Sequence, residues 1–555
     1  MPLDFFSPLL ILFRIIVTVM KNSFVLAVCA AIIQVLIMSC NSNKSISELE
    51  SRYAQVGNAV KVHYKTSGKG DIAMVFIHGF GCDVETWQKQ YEAFRDSGNL
   101  QLIFIDLPGY GKSDKAEADY SLEYFAKAID AVLEKENVSR AIMVGHSLGT
   151  PVCRQVAFSY PAKVAALMDI DGVYCLYPAV DEQSSDDERE RAEQYERAVN
   201  NFAACFCGDS VSANIAGFAQ SLAGPHTPGW IKRYALEHMP KADERVACST
   251  MTNLIERKWW TGAWIDVPTT VICTQNSGLE PDNEAQMQKL YSNLDYVELT
   301  HCGHFIHMEQ PELVNKKLAE LLWYARSRKV SRVDVNGVNL LYEVAGYGKP
   351  VLLFHGNGGS HESVETTAGQ LVRAGYKVYA IDSRGQGANK PLKAYHYKDM
   401  AEDMYQFCRR LKINHPAVYG WSDGGIVSLL LEILHPGTVK MMVISGANVS
   451  PEGVGNYEQF KCDILSQNNP LAEMMVWEPN ITDEELASIK CPVMVCAGSA
   501  DLILPEHTHY IAEAIPGAEL KIVEGEDHGS YIWHNKLAGE IVIDFFVRKG
   551  YKPTR

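Results

Sequence analysis

The chain has 555 residues, of which 47% are hydrophobic and 21% charged, and it carries a formal net charge of −16. This composition is typical of globular proteins, and the length predicts two domains rather than one core. The acidic balance argues against nucleic acid as a partner, because phosphate binding requires clustered Lys and Arg side chains.

The 14 cysteines show no disulfide framework in the sequence. Cys205 and Cys207 are too close along the chain for a metal-ligand pair of the usual spacing. The sequence also contains no zinc motif, no P-loop and no glycine-rich turn that opens a dinucleotide-binding unit. We therefore expect neither a metal nor a cofactor.

The N-terminal segment, residues 1–40, has the order of a secretory signal when it is counted from Met20. Lys21 is followed by a short apolar run and then by Ser39-Cys40, which resembles a bacterial lipoprotein cleavage site. This resemblance implies that Cys40 is acylated and that the mature protein is a membrane-anchored lipoprotein of the cell envelope, facing the periplasm. The alternative is one uncleaved membrane helix or a hairpin of two, but the run after Lys21 is short for a spanning helix.

One short pattern occurs twice, first at 145–149 as Gly-His-Ser-Leu-Gly and again at 420–424 as Gly-Trp-Ser-Asp-Gly. Both copies fit the turn in which a strand passes sharply into a helix and presents a serine at the top of a parallel sheet. A His-Gly pair precedes each copy at a nearly constant interval, at His78 and at His355. Such self-similarity indicates a tandem duplication.

Within each copy, short apolar runs alternate with helical stretches, which predicts a mostly parallel sheet flanked by helices. We expect the first domain at 41–328 and the second at 329–555. The first copy has a longer insertion between its serine and its late histidine, which predicts a large helical lid at about 174–265. The second copy has room only for a short lid at about 448–488.

The second copy contains the residues of a complete serine hydrolase site in the chain order Ser422, Asp501, His528. In this assignment Ser422 is the nucleophile, His528 the base and Asp501 the acid that orients the base. The backbone N–H groups of Asn357 and Asp423 are the expected oxyanion donors. This order of residues resembles the α/β-hydrolase superfamily over essentially all of the second copy.

The first copy offers Ser147 as the nucleophile and His304 as the base. The resemblance implies that the base follows a glycine and precedes an aromatic residue, which selects His304 over the neighbouring histidines. The backbone N–H groups of Phe80 and Leu148 are the expected oxyanion donors.

The acid of the first copy departs from the pattern. The position that corresponds to Asp501 is occupied by Ser277. Asp171, at the end of an earlier apolar run, is our preferred acid, since some members of the superfamily keep it there. Glu280 or Asp282 is the alternative, and a site without an acid is another.

Aromatic residues in the first lid suit a small apolar acyl group, although packing within the lid explains them equally well. They are Trp230, Trp259, Trp260 and Trp264.

Together these features predict an α/β fold of two tandem α/β-hydrolase domains with two potential active sites. The expected activity is that of a carboxylesterase-like serine hydrolase, which acts on small acyl substrates through an acyl-serine intermediate. An acyltransferase is one alternative. A binding or scaffold protein with a degenerate first domain is the other.

Overall fold

The computed structural model describes most of the chain, namely residues 44–57, 60–172, 174, 180, 184–260, 265, 267–275, 283–288, 290–291, 293–533 and 535–554. The predicted signal segment, including Cys40, lies outside these residues. In the part of the chain that is described, no helix is both long and apolar enough to cross a membrane.

The first domain is built on an eight-stranded sheet with the strand order β1-β2-β4-β3-β5-β6-β7-β8. β1 and β2 pair antiparallel, as do β2 and β4, and all other neighbours are parallel. The strands are β1 (Arg52–Val56), β2 (Val60–Lys69), β3 (Ile72–Ile77), β4 (Leu100–Ile105), β5 (Ala141–His146), β6 (Val164–Ile170), β7 (Thr269–Thr274) and β8 (Leu294–Leu299).

The second domain repeats this sheet in the order β9-β10-β12-β11-β13-β14-β15-β16. Its first two pairings, β9 with β10 and β10 with β12, are again antiparallel and the rest parallel. The strands are β9 (Lys329–Val335), β10 (Val338–Ala345), β11 (Pro350–Phe354), β12 (Lys377–Ile381), β13 (Ala417–Trp421), β14 (Met441–Ser445), β15 (Val493–Gly498) and β16 (Glu519–Val523).

Helices flank both sheets. Those of the first domain are α1 (Gln88–Phe94), α2 (Leu122–Lys135), α3 (Gly149–Ser159), α4 (Asp186–Ala204), α5 (Val211–Ser221), α6 (Gly229–His238), α7 (Glu244–Leu254), α8 (Asn283–Gln288), α9 (Ile306–Glu309) and α10 (Pro311–Ser327). Those of the second are α11 (Glu365–Ala374), α12 (Tyr397–Leu411), α13 (Asp423–Leu434), α14 (Tyr457–Ser466), α15 (Pro470–Trp477), α16 (Asp483–Ser488), α17 (Pro505–Ala514) and α18 (Leu537–Arg548). Short 3₁₀ turns connect several of these elements.

The central strands are apolar along their whole length because helices cover both faces of each sheet. Every residue of β3, β5, β6 and β7 is buried, as is every residue of β13, β14 and β15. The predicted fold class, two tandem α/β-hydrolase domains, is therefore confirmed.

Each lid enters its domain at the same place in the sheet. Helices α4 to α7 lie between β6 and β7, and helices α14 to α16 lie between β14 and β15. The insertion differs in size, but its position after the fourth parallel strand is shared.

The first lid contains a disulfide between Cys207 and Cys248. No sequence pattern predicts this bond, because the two residues are 41 positions apart and belong to different lid segments. Only the packing of α7 against the end of α4 brings their Cα atoms to 4.7 Å.

The lid tryptophans that the structure describes pack within the lid or face solvent. The indole N–H groups of Trp259 and Trp260 donate to the carbonyls of Asn253 and Leu254, both at 2.8 Å. Trp230 is 47% exposed, and Trp264 lies outside the described residues. The packing interpretation therefore fits Trp259 and Trp260, whereas Trp230 faces solvent.

Candidate active sites

Both predicted serines sit at a sharp strand-to-helix turn. Ser147 follows β5 with φ of 52°, and Ser422 follows β13 with φ of 56°. This left-handed conformation is strained for a residue with a Cβ atom and typically marks a functional turn. The following glycines permit it: a Cβ atom on Gly149 or Gly424 would lie 2.2 Å from a carbonyl oxygen of the neighbouring strand.

The second domain brings Ser422, His528 and Asp501 into one hydrogen-bonded chain. Ser422 Oγ lies 3.0 Å from His528 Nε2, and His528 Nδ1 lies 2.7 Å from Asp501 Oδ1. Asp501 is almost fully buried, and its Oδ1 also accepts the backbone N–H of Ile503 at 2.9 Å. The hydroxyl thus has a base within reach, and the base has a fixed orientation.

The backbone N–H groups of Asn357 and Asp423 have no acceptor among the residues that the structure describes. His355 holds the Asn357 loop, because its two ring nitrogens contact the carbonyl of Gly356 at 2.7 Å and the backbone N–H of Ser383 at 3.0 Å. The two free donors border the nucleophile, which is the arrangement that an oxyanion needs.

In the first domain His304 and Asp171 are in contact, as predicted. Asp171 follows β6, whereas Asp501 follows β15, whose counterpart in the first domain is β7. His304 Nδ1 is 2.7 Å from Asp171 Oδ2. The backbone N–H and the hydroxyl of Thr274, at the end of β7, both donate to Asp171 Oδ1, at 2.9 and 3.1 Å. The alternatives Glu280 and Asp282 lie outside the described residues.

Ser147 and His304 are adjacent but not hydrogen-bonded: within the described residues, Ser147 Oγ makes no hydrogen bond to the ring. The lid holds the histidine from the other side, since Leu222 accepts the backbone N–H of His304 at 3.1 Å. Ser147 is only 6% exposed. Phe80 and Leu148 are buried, and their backbone N–H groups also have no acceptor among the described residues.

A further pair of residues, which sequence reasoning missed, contacts the two histidines from the position before each serine. His146 Nε2 lies 2.9 Å from the carbonyl oxygen of His304. Trp421 Nε1 lies 2.9 Å from the carbonyl oxygen of His528. The repeated motif itself contained the signal, because both variable positions carry a ring with an N–H group.

Burial perturbs several titratable groups around the sites. It raises the pKa of Asp423 to about 6, and it raises the pKa of Asp169, on β6, to about 6. Burial lowers the pKa of His307 to about 3 and holds the pKa of His146 well below its usual range. Both histidines are therefore neutral near pH 7.

Among the described residues, no group of three or more His, Cys, Asp or Glu side chains is arranged to hold a metal ion.

Comparisons with known proteins place the chain among hydrolases by similarity. It is 33% identical over 129 residues to a 2-hydroxy-6-oxononadienedioate/2-hydroxy-6-oxononatrienedioate hydrolase from Burkholderia vietnamiensis, which covers 22% of this chain and 44% of that protein. It is 27% identical to the serine hydrolase BPHL of Homo sapiens, covering 38% of this chain and 86% of that protein. It is also 27% identical to a pimeloyl-[acyl-carrier protein] methyl ester esterase from Citrobacter koseri, covering 44% and 94%.

Several relatives, the Burkholderia hydrolase among them, match over little more than half of their own length or less. Over five curated relatives the chain spans between 30% and 56% of the protein that it matches. A family model described as the alpha/beta hydrolase fold matches residues 72–311 and residues 349–461, one stretch in each domain. Because these two stretches make up more than half of its length, the chain belongs to the alpha/beta hydrolase fold family.

Proposed function

We propose that this protein is a serine hydrolase of small carboxylic esters, with one active site in each domain. The observation that carries the proposal is the chain of hydrogen bonds from Ser422 through His528 to Asp501. The backbone N–H groups of Asn357 and Asp423 support it, because neither has an acceptor in the described part of the chain. The methyl ester esterase and the serine hydrolase among its relatives support the same reaction class.

At the second site, Ser422 Oγ attacks the ester carbonyl while His528 Nε2 takes the hydroxyl proton. Asp501 accepts the Nδ1–H of His528 and stabilises the imidazolium that forms. The N–H groups of Asn357 and Asp423 stabilise the oxyanion of the tetrahedral intermediate. His528 then gives its proton to the departing alcohol, which leaves an acyl-serine.

Water completes the cycle in the reverse sense. His528 takes a proton from the water as it attacks the acyl carbonyl, and the same two N–H groups hold the second oxyanion. Collapse of this intermediate returns the proton to Ser422 and releases the carboxylic acid. The alcohol and the carboxylic acid are the two products, and the protein returns to its starting state.

At the first site, the same roles fall to Ser147, His304 and Asp171, with the N–H groups of Phe80 and Leu148 as oxyanion donors. A hydrogen bond between Ser147 Oγ and His304 has to form before Ser147 can react, since none joins the two groups in this structure. In hydrolases without a bound substrate, the hydrogen bond between the nucleophile and its base is often long or poorly aligned, and it shortens when the substrate binds.

A fluorophosphonate probe, which modifies activated serines, tests both sites. We expect labelling of Ser147→Ala and of Ser422→Ala, and none of the double variant. Loss of all labelling in Ser422→Ala would assign the first domain a binding role instead. Labelling that persists in the double variant would overturn both nucleophile assignments. Product analysis with added alcohol separates hydrolysis from acyl transfer.

We also propose that the protein is anchored to a membrane through acylated Cys40 and faces the periplasm. The lid disulfide supports this location, because disulfides persist in oxidising compartments. Cys40→Ser should release the protein into the soluble fraction after cell lysis. Retention in the membrane fraction would favour an uncleaved N-terminal helix.

A further inference from the structure

His146 and Trp421, the residues before the two serines, lie between the loop of the oxyanion donor and the backbone of the histidine base. On one side each side chain borders the oxyanion loop: a Cβ atom on Gly79 would lie 2.8 Å from His146 Nδ1, and one on Gly356 would lie 3.7 Å from Trp421 Cδ2. On the other side it donates to the carbonyl oxygen of the histidine base, at 2.9 Å in both domains.

We propose that His146 and Trp421 are positioning residues, each of which fixes the backbone of the base in its domain and thereby places the imidazole for proton transfer. The inference rests on the proposed function, because it assigns a role relative to His304 and His528. It goes beyond that function by giving a task to the variable position of the motif.

The two domains reach the same contact with different chemistry, which argues that the contact itself is what matters. An indole N–H is always a donor, whereas an imidazole donates from Nε2 only in one neutral tautomer or when it is protonated. The environment of His146 keeps its ring neutral, since burial and the neighbouring His307 and His304 all lower its pKa. Its Nδ1 has no partner among the described residues, so the proton lies on Nε2, where the carbonyl accepts it.

Each ring is also backed by a second aromatic ring, which prevents it from turning away. His307 lies behind His146, with ring centroids 4.4 Å apart. Trp533 lies against Trp421, with ring centroids 5.6 Å apart. The rings of His146 and Trp421 are almost completely buried, so their N–H groups have no water to replace the carbonyl if the contact is lost.

The test in the second domain uses the Ser147→Ala protein, so that only Ser422 reacts. Trp421→Phe keeps an aromatic ring and removes the N–H, and we expect kcat for p-nitrophenyl acetate to fall about tenfold with KM within about twofold. Trp421→His copies the first domain and restores a ring N–H, so it should recover to within about threefold of the parent. Tyr419→Phe, a buried aromatic change on the same strand, is the control and should leave kcat unchanged.

The first domain provides an independent pair on the Ser422→Ala background. His146→Met removes the donor and His146→Gln, of similar shape, retains one. We expect a loss of kcat of about tenfold in the first and recovery in the second. This pair also keeps the inference testable if the tryptophan variants do not fold, which thermal unfolding would show.

The proposal is overturned if Trp421→Phe keeps the parent kcat, or if the donor-bearing variants are no more active than the donor-free ones. A change in KM with constant kcat would likewise overturn it, since it would indicate substrate binding rather than placement of the base. Failure of the two single-serine parents to hydrolyse the ester or to react with the fluorophosphonate is a different result. It would overturn the proposed function, and the assigned role of the two residues with it.

Discussion

The two domains share a sheet topology, a strand-to-helix turn with a serine and a histidine paired with an aspartate, but the two aspartates follow strands at different positions in the sheet. Asp501 follows β15, whose counterpart in the first domain is β7. Asp171 instead follows β6, the neighbour of β7 in the sheet. Both carboxylates nevertheless lie 2.7 Å from Nδ1 of their histidine. The carboxyl ends of neighbouring parallel strands meet at one edge of a sheet, so the same point in space can be reached from either strand.

The two residues that carry the proposed oxyanion donors, Asn357 and Phe80, contact their lids in different ways. In the second domain Asn357 Nδ2 donates to Asp423 at 2.8 Å and to the carbonyl of Leu471, in the lid, at 3.3 Å. In the first domain the corresponding contact to the lid is apolar, with Phe80 packed against Phe206 at 5.3 Å between ring centroids. The Asn357 loop therefore contacts its lid through a hydrogen bond, whereas the Phe80 loop contacts its lid through aromatic packing.

Replacing the proposed acid of either domain should have the largest effect on turnover. Asp501→Asn on the Ser147→Ala background should lower kcat about 10⁴-fold, because the base loses its orienting carboxylate. If the first domain uses its acid in the same way, Asp171→Asn on the Ser422→Ala background should cost a similar factor. Steady-state ester hydrolysis measures both.

Asp295→Asn is the matched control, since it removes a carboxylate that pairs with Lys317 and does not contact His304. Unchanged turnover in Asp171→Asn would show that another group orients His304 and would end the parallel between the two acids.

The lid disulfide should stabilise the first domain. Replacing Cys207 and Cys248 by serine should lower the free energy of unfolding of the first domain by about 2–4 kcal/mol, as expected for a loop of this length. Turnover at Ser147 should fall as well, because the same lid holds the backbone of His304 through Leu222. Urea unfolding and ester hydrolysis check the two effects.

Turnover at Ser422 serves as the internal control for this change, together with Cys205→Ser, which replaces a free, exposed cysteine. Equal losses at both sites would mean that the first lid does not act on its own domain alone.

Each domain contains one buried carboxyl whose pKa is raised to about 6, Asp423 in the second and Asp169 in the first. A carboxyl that is raised from its usual value of about 4 favours the folded state below pH 4, and this contribution is lost as the pH rises through 6. The stability of Asp423→Asn relative to the natural protein should therefore increase by about 2–3 kcal/mol between pH 4 and pH 7. Asp169→Asn should behave in the same way.

Urea midpoints at several pH values measure this change. Since Tyr397 and Asn357 donate to Asp423 at 2.7 and 2.8 Å, Tyr397→Phe should shift the same titration upward. A stability difference that stays constant with pH would contradict the burial argument for that residue.

The smallest effect concerns the oxyanion surroundings. Asn357→Ala keeps the backbone donor but removes the amide that binds Asp423 and the lid, so kcat at Ser422 should fall about tenfold. Asn448→Ala, which removes a buried amide bound to the carbonyl of Ser450, is the control. If both variants lose the same activity, the hydrogen-bonded coupling of lid and oxyanion loop in the second domain has no catalytic role.

Much of the architecture was predictable because it depends on local patterns. Alternating apolar runs and helical stretches predicted the mostly parallel sheets, and the repeated serine motif located both turns. The disulfide was not predictable, and neither were the contacts of His146 and Trp421, because each depends on segments that are far apart along the chain.

By itself, the sequence determined the class of the fold and the duplication, and it predicted both serines, both bases and the acid of the second domain. These features follow from short-range periodicity and from a fixed order of motifs. The sequence left the acid of the first domain open among several residues, and the contact between Asp171 and His304 is visible only in the tertiary structure, as is the attachment of each lid. These contacts depend on which strand ends and loops lie together at one edge of the sheet. They join residues that are far apart along the chain, so no local sequence pattern predicts them.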